Sequence, residues 1–212
     1  MKKGNDKLIF IILILIVAVI AGYFYMNRGV VRSVKGIPDP IQKDAKGSVE
    51  KKVGGYDITI TFKNSYDISA LVVHDCNYSG GSIDDLLAPK DVALAWGPVA
   101  EYNDQIDFNW DQSGRWYYWY VNDASVLGPV GGADGVNLHS ANNHLIPADE
   151  NTKEKVKRLK QGDYIRIQGY LVDVDGTDSS GGTFYWYSST TREDTGNGSC
   201  EIIYVTSVEW LD

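Results

Sequence analysis

The sequence predicts a mainly β protein in which an N-terminal transmembrane helix precedes a small closed β-barrel that contains one helix. Three observations lead to this prediction. A stretch near the N-terminus has 19 consecutive residues without a charge, several later segments alternate apolar and polar side chains, and one helical segment separates the earlier strands from the last ones. A β-sandwich is the alternative arrangement of the same strands.

The uncharged stretch runs from Leu8 to Met26 and follows a basic flank, residues 1–7. At about 1.5 Å per residue, a helix of this length nearly matches the roughly 30 Å hydrocarbon core of a bilayer. We therefore predict a single-pass membrane anchor over residues 8–26, whose partner is the lipid bilayer. The alternative is a signal peptide that is cleaved near Ala21, which would leave a secreted protein.

The remainder of the chain divides into a linker and one domain. Residues 27–52 contain glycine, proline and charged residues without a sustained apolar period, which is typical of a linker. Residues 53–212 form the predicted domain. Short N-terminal flanks usually stay in the cytoplasm, so we predict that this domain lies outside the cell membrane.

The predicted domain is strongly acidic. From Val53 onward it contains ten Lys and Arg residues against 24 Asp and Glu residues, which leaves a formal charge of −14. A surface of this sign repels phosphate backbones, so the composition argues against a nucleic-acid partner.

Period-two alternation predicts the strands. In Tyr56–Phe62 every second residue is apolar or aromatic, and Arg115–Val121 is almost entirely aromatic. Further strands are predicted at Ala70–His74, Asp91–Gly97, Gly162–Val174, Thr183–Tyr187 and Cys200–Trp210.

The predicted helix begins after Asp149, which is in the N-cap position, and Gly162 closes it behind a last turn rich in basic residues. In the following strand the apolar phase changes at Gly169, which is typical of a bulge or a barrel corner. The order of several strands, one helix and further strands favours a Greek-key barrel of the OB type.

A resemblance lies in three segments: Arg115–Trp119, Ser140–Ala148 and Thr191–Val205. These segments resemble uncharacterised hypothetical proteins of bacteria and archaea that are exported or membrane-anchored and OB-fold-like. The resemblance spans much of the domain and implies a shared fold. No assigned activity comes with it, and a fold alone does not define a function.

Cys76 and Cys200 are the only two cysteines. Two cysteines in an exported domain most simply form one disulfide, which here would close a loop of more than one hundred residues. A free catalytic thiol is the alternative.

His139 and His144 are the candidate catalytic residues, together with Asn143. In a loop, two imidazoles can converge on one substrate as base and orienting group. A polar loop held by hydrogen bonds is the structural alternative. The sequence contains no Gly-x-Ser-x-Gly elbow and no glycine-rich phosphate loop, so it names no reaction.

Asp173, Asp175 and Asp178 are the candidate metal ligands. Hard cations such as calcium take several oxygen ligands, although this spacing does not fit an EF-hand. A solvated turn rich in Asp and Gly is the alternative. The sequence predicts no cofactor, and calcium is the alternative.

Aromatic residues are dense, with six Trp and fourteen Tyr. Four of them are candidate binding residues: Trp116 and Trp119 on one predicted strand, and Tyr185 and Trp186 on another. Exposed rings stack on sugars or peptides, whereas buried rings fill a core.

We therefore expect a membrane-tethered binding domain outside the cell, with an envelope protein or a glycan as its ligand. The alternative is a cell-envelope hydrolase that uses the loop of His139 and His144 with nearby carboxylates.

Overall fold

The structure is a computed structural model that describes residues 3–26, 31–191 and 199–211. It divides the chain into two compact units at Val30. In the first unit, helix α1 covers Lys3–Met26. Within the described ranges, no helix combines the length and the apolar character that crossing a bilayer requires.

The anchor over Leu8–Met26 stays a prediction from the sequence. Residues 1–2 of the basic flank, residues 27–30 of the predicted linker and residues 192–198 of the third resembling segment lie outside the described residues.

The second unit is mainly β, which confirms the coarse fold prediction. Within the described residues its strands are β1 (Ile41–Asp44), β2 (Ser48–Val53), β3 (Tyr56–Asn77), β4 (Lys90–Ala95), β5 (Asp111–Ser113), β6 (Trp116–Tyr118), β7 (Ser140–Pro147), β8 (Tyr164–Asp178), β9 (Thr183–Tyr187) and β10 (Glu201–Trp210). Its helices are α2 (Ile83–Leu87), α3 (Gly97–Glu101), α4 (Gly132–Leu138) and α5 (Glu150–Arg158), with a 3₁₀ helix at Ala124–Val130.

Five strands pair in a closed cycle. β3 pairs with β4, β4 with β7, β7 with β10, β10 with β8, and β8 pairs again with β3. Every pair is antiparallel except β7 with β10, which is parallel. Strands β1 and β2 pair with β3, and β9 pairs with β8. The short hairpin of β5 and β6 forms a separate two-stranded sheet.

Gly169 in β8 marks a close approach of two strands. The register between β8 and β10 shifts between Val205 and Ser207, so the irregularity predicted at this glycine lies in its partner strand. A Cβ atom at Gly169 would lie 2.1 Å from the carbonyl oxygen of Tyr204. Only a residue without a side chain allows the two backbones to come this near.

Two apolar clusters form the core. The larger contains Leu94, Leu145 and Ile203, and the smaller contains Ile146 and Ile202. Neighbouring residues of β7 and of β10 therefore belong to different clusters, because successive side chains of a strand point to opposite faces. Both faces are buried along β7 and along the first half of β10, Glu201 to Val205.

The predicted helix is confirmed as α5. Asp149 caps it by accepting a hydrogen bond from the backbone N–H of Thr152 at 2.7 Å. The helix ends at Arg158, earlier than the predicted end at Gly162. The expectation of a single helix is wrong, because α2, α3 and α4 are also present. These helices have five to seven residues, and so short a segment cannot display a helical period.

The predicted linker carries two strands, β1 and β2, and Ile37 is buried in the larger apolar cluster. The compact unit begins at Val31 rather than at residue 53. The segment reads as a linker because most of the side chains in β1 and β2 are exposed, so no apolar face is evident in the sequence.

Both cysteines are free, so the predicted disulfide between Cys76 and Cys200 is wrong. The strand register gives the reason. Cys76 pairs with Asp91, Asp91 with His144, and His144 with Ile202. Three strand spacings, roughly 14 Å along the sheet, thus separate Cys76 from β10. A disulfide requires Cα atoms within about 7 Å of each other.

Candidate functional site

A cleft of about 380 Å³ lies beside β7 and β9. It combines five aromatic rings with ionisable side chains and one thiol. The lining residues are Asp84, Arg115, Trp116, His144, Phe184, Tyr185, Trp186, Tyr187 and Cys200.

Three of the four predicted binding residues line this cleft: Trp116, Tyr185 and Trp186. The Tyr185 side chain is 61% exposed, so its ring is available to a ligand. Trp119 is not among the lining residues. Its Nε1 donates a hydrogen bond to Oδ1 of Asn137 at 3.1 Å, and its ring packs against the larger apolar cluster.

His144 links the aromatic wall of the cleft to a buried carboxylate. The residue is 3% exposed, and its Nδ1 lies 2.9 Å from Oδ2 of Asp91, although the pair lacks the alignment of a hydrogen bond. The imidazole centroid is 4.7 Å from that of Trp186. The imidazole also contacts the Cys200 side chain. It therefore has a carboxylate and a thiol as neighbours.

These neighbours determine the charge of His144. Burial by itself lowers the pKa of this imidazole, but the contacts with Asp91 and Cys200 outweigh burial and raise the pKa to about 9. His144 is therefore protonated at neutral pH.

Arg115 fixes Asp91 from the other side. Its Nη1 donates to Oδ1 of Asp91 at 2.7 Å, and its Nη2 donates to Oδ1 of Asp85 at 2.6 Å. The guanidinium lies 3.7 Å above the ring of Tyr78. Its charge is thus compensated within the protein, and its role is to hold Asp91 in place.

The turn between β5 and β6 positions the Arg115 guanidinium. Gly114 and Arg115 both have positive φ, 58° and 71°, as a two-residue hairpin turn of type I′ requires. A positive φ is unfavourable for arginine. Its buried ion pairs and the hydrogen bond from its backbone N–H to the Tyr78 hydroxyl at 3.1 Å hold it there.

Asn142 connects the hairpin to the thiol. Its Oδ1 accepts a hydrogen bond from Nε2 of Gln112 at 2.6 Å, and its Nδ2 donates to the carbonyl oxygen of Arg115 at 2.9 Å. The same Nδ2 lies 3.6 Å from Sγ of Cys200. The amide therefore supplies a donor next to the sulfur.

The structure does not bring His139 and His144 together. His139 lies at the C-terminal end of α4, with Nδ1 2.8 Å from the carbonyl oxygen of Gly135. Five residues of extended chain separate the two histidines by about 16 Å. Asn143 points to the opposite face of β7 from His144, and its Nδ2 donates to the carbonyl oxygen of Ala141 at 3.0 Å.

The three predicted metal ligands bind protein groups. Asp173 pairs with Lys63 at 3.0 Å, Asp175 accepts from the Tyr187 hydroxyl at 2.8 Å, and Asp178 accepts from the backbone of its own turn. Within the described ranges, no group of three or more His, Cys, Asp or Glu side chains could hold a metal ion.

Reasoning from the sequence identified His144 and three of the rings but not Asp91, Arg115 or Asn142. Asp91 gave one signal, since a carboxylate at the start of an apolar strand requires a partner when it is buried. The turn that carries Arg115 and the register that aligns Asp91 with His144 have no signature in the sequence.

Comparison with known proteins adds no assignment: no family model, curated protein or solved structure significantly matches this chain. The resemblance to uncharacterised exported proteins stays a prediction.

Proposed function

We propose that this protein is a membrane-tethered extracytoplasmic domain of OB type that binds a glycan in the aromatic cleft. The observation that carries the proposal is the group of five rings that line the cleft, two of which, Tyr185 and Tyr187, are more than half exposed. Rings of this kind stack on the apolar faces of sugars, while nearby carboxylates accept hydrogen bonds from hydroxyl groups.

The strand connectivity supports the OB assignment. The five strands of the closed cycle follow the order of a Greek-key barrel, and α5 lies between the third and fourth of them, β7 and β8. OB folds bind oligonucleotides or oligosaccharides on the second and third strands, with help from the loops after the first and fourth. The cleft lies at the corresponding position, since His144 belongs to the third strand, Asp84 to the first of those loops and Trp186 to the second.

Charge favours a glycan over a nucleic acid. The domain is strongly acidic, and both cations in the cleft lining have carboxylate partners: Arg115 pairs with Asp85 and Asp91, and the protonated His144 pairs with Asp91. A phosphate backbone would meet repulsion without a free cation to offset it.

Binding is tested with the full chain in detergent. The probe is an array of neutral oligosaccharides, including β-1,4-linked N-acetylglucosamine oligomers, followed by titration of the best binder. We expect Trp186→Ala to weaken binding roughly tenfold, which corresponds to about 1.4 kcal/mol. Tyr120→Ala is the matched control, because this ring is exposed but is not among the cleft-lining residues. Absence of glycan binding, or equal losses in both variants, would reject the proposal, and binding of a deglycosylated envelope protein would support the alternative ligand.

The membrane attachment rests on the 19 uncharged residues from Leu8 to Met26. The described apolar side chains from Phe10 to Ile20 are exposed, as those of a lipid-facing helix are. We expect the full chain to stay in the membrane pellet after a carbonate wash, and its domain to be digested by protease added outside intact cells. Recovery of the unprocessed chain in the cytosol would contradict this localisation.

A further inference from the structure

We propose that the cleft is also a catalytic site, in which Cys200 is the nucleophile, His144 its acid–base partner and Asp91 a positioning residue. The reaction is hydrolysis of a carboxylic ester through a thioester intermediate. The nature of the substrate, an ester carried on a carbohydrate, rests on the proposed function. The reactivity of the Cys200 thiol does not depend on the proposed function.

The register brings the three side chains together. Asp91 on β4 pairs with His144 on β7, and Cys200 directly precedes β10, the parallel neighbour of β7. Residues directly opposite each other, and residues two apart on one strand, share a face. Asp91, His144 and Ile202 therefore lie on one face of the sheet, and Cys200, just before β10, contacts His144 and lines the cleft with it.

The contacts of Cys200, His144 and Asp91 match the roles of nucleophile, base and orienting group in thiol enzymes. The nucleophile needs a base within reach, and the base needs a third group to orient it. His144 presents Nδ1 to Asp91 at 2.9 Å, which leaves Nε2 for the thiol. Arg115 immobilises the other carboxylate oxygen of Asp91 at 2.7 Å. This second contact holds the carboxylate, and through it the imidazole, in one orientation.

The difference in burial between Cys200 and its neighbours distinguishes Cys200 from a structural cysteine. His144 and Asp91 are almost fully buried, with exposures of 3% and 0%, whereas Cys200 is only partly buried and lines the cleft. His144 and Asp91 are thus removed from water, while Cys200 lines the cleft that a substrate would enter. Asn142 places an amide donor 3.6 Å from the sulfur, where it can stabilise negative charge.

The reaction balances without a further reagent. The Cys200 thiolate attacks the ester carbonyl carbon, the S–C bond forms, the C–O bond breaks, and the His144 imidazolium gives its proton to the departing alkoxide. Water then attacks the thioester while neutral imidazole takes its proton, the C–S bond breaks, and the carboxylic acid leaves. The net change is ester plus water to acid plus alcohol.

The other acidic groups around the cleft have partners other than the His144 imidazolium. Asp84 and Asp85 on α2 pair with Arg115, and Asp111 on β5 faces His74 at 3.8 Å rather than His144. Asp91 is therefore the carboxylate in direct contact with His144 among the described side chains.

Alkylation by iodoacetamide tests the nucleophile without any glycan. Cys76→Ser leaves Cys200 as the single thiol, and Cys200→Ser leaves Cys76 as the matched control. We expect Cys200 to react roughly tenfold or more faster than Cys76 at pH 7, with a rate that stays nearly constant down to about pH 6. An unactivated thiol loses about tenfold in rate per pH unit in this range. Equal rates and equal pH profiles for the two thiols would overturn the proposal.

Two variants then test the supporting residues. His144→Gln should return the pH profile of Cys200 to that of an unactivated thiol, and Asp91→Asn should shift it in the same direction. A structural role alone would not move this profile in a folded variant, as judged by circular dichroism. Should His144→Gln not fold, the profile of Cys200 in the Cys76→Ser chain decides the question.

Acylation completes the test. With p-nitrophenyl acetate we expect one equivalent of nitrophenol in a burst, and an acetyl group on the Cys200 peptide in mass spectrometry. Cys200→Ser should abolish both signals. Fast alkylation and acylation of Cys200 without glycan binding would support the catalytic site and reject glycan binding as the function. Glycan binding by a protein with an inert Cys200 would support the proposed function and reject the catalytic site.

Discussion

At the scale of single residues, His144 shows how neighbours override burial. An imidazole that is 3% exposed would ordinarily be neutral, since a buried charge is costly. Here the carboxylate of Asp91 and the Cys200 side chain raise the pKa to about 9. Arg115 in turn compensates Asp91, so the charges form one buried network. Removing one member leaves another without its partner.

His144→Gln is therefore expected to change how stability depends on pH. The folded pKa of about 9 lies above the ordinary 6.5, so the stabilisation by His144 is complete below pH 6.5 and is lost as pH rises through 9. Relative to His144→Gln, the free energy of unfolding of the wild type should fall by on the order of 3 kcal/mol between about pH 6 and pH 10. Urea unfolding at both pH values measures this. The groups that titrate in both proteins cancel, and a constant difference would show that His144 is uncharged.

The site could be predicted from the sequence only where a residue carries its own signal. Histidine and the aromatic residues attract attention by their chemistry, and so His144, Trp116, Tyr185 and Trp186 were named. Cys200 was assigned to a disulfide, because a sequence with two cysteines does not state how far apart they lie. Arg115 lies in a turn and has a positive φ, a conformation that arginine rarely adopts. No residue pattern in the sequence predicts this turn.

At the scale of elements, β7 is the strand that the sequence pattern does not predict. Its segment, Ser140–Pro147, reads as a polar loop, yet seven of its eight residues are buried. Polar side chains in this buried strand form hydrogen bonds with neighbouring groups. Ser140 donates to the carbonyl oxygen of Val136 at 2.7 Å, and Asn142 bridges the hairpin. Apolar–polar alternation predicts half-exposed strands, so it misses a strand whose two faces are both covered.

Gly169 offers the element-scale prediction. Gly169→Ala should destabilise the fold by about 1–3 kcal/mol, because the new Cβ would meet the backbone oxygen of Tyr204 at 2.1 Å and β10 would have to shift. Gly128→Ala is the control, since a Cβ there meets nothing within 4 Å, and its cost should stay within about 0.5 kcal/mol. Thermal or urea unfolding compares the two. Equal effects would contradict the close approach of β8 and β10.

At the scale of the whole molecule, two compact units account for the chain. The second unit joins its five central strands in a closed cycle, so residues far apart in sequence become neighbours. β3 and β8 pair from Tyr56 opposite Asp178 to Leu71 opposite Tyr164. This long-range pairing, rather than a covalent bridge, connects the early and the late strands.

The free cysteines provide the prediction at this scale. Full-length protein purified in detergent without reductant should contain two free thiols by mass spectrometry after alkylation under denaturing conditions. Its melting temperature should not change when reductant is added, because three strand spacings separate Cys76 from β10, the strand that Cys200 directly precedes. A drop of several degrees with reductant would indicate a bridge.

Local sequence patterns are sufficient to predict the mainly β composition and the capped helix α5, and composition gives the acidic character of the domain and the uncharged stretch at the N-terminus. Each of these follows from residues close together in the chain, where periodicity, caps and charge act locally. Three features emerge from the folded chain alone: which strands are neighbours, that the predicted linker belongs to the domain, and that Cys200 lies beside His144 instead of Cys76. Strand register arises from contacts between distant segments, and a shift of one residue would turn His144 away from the cleft.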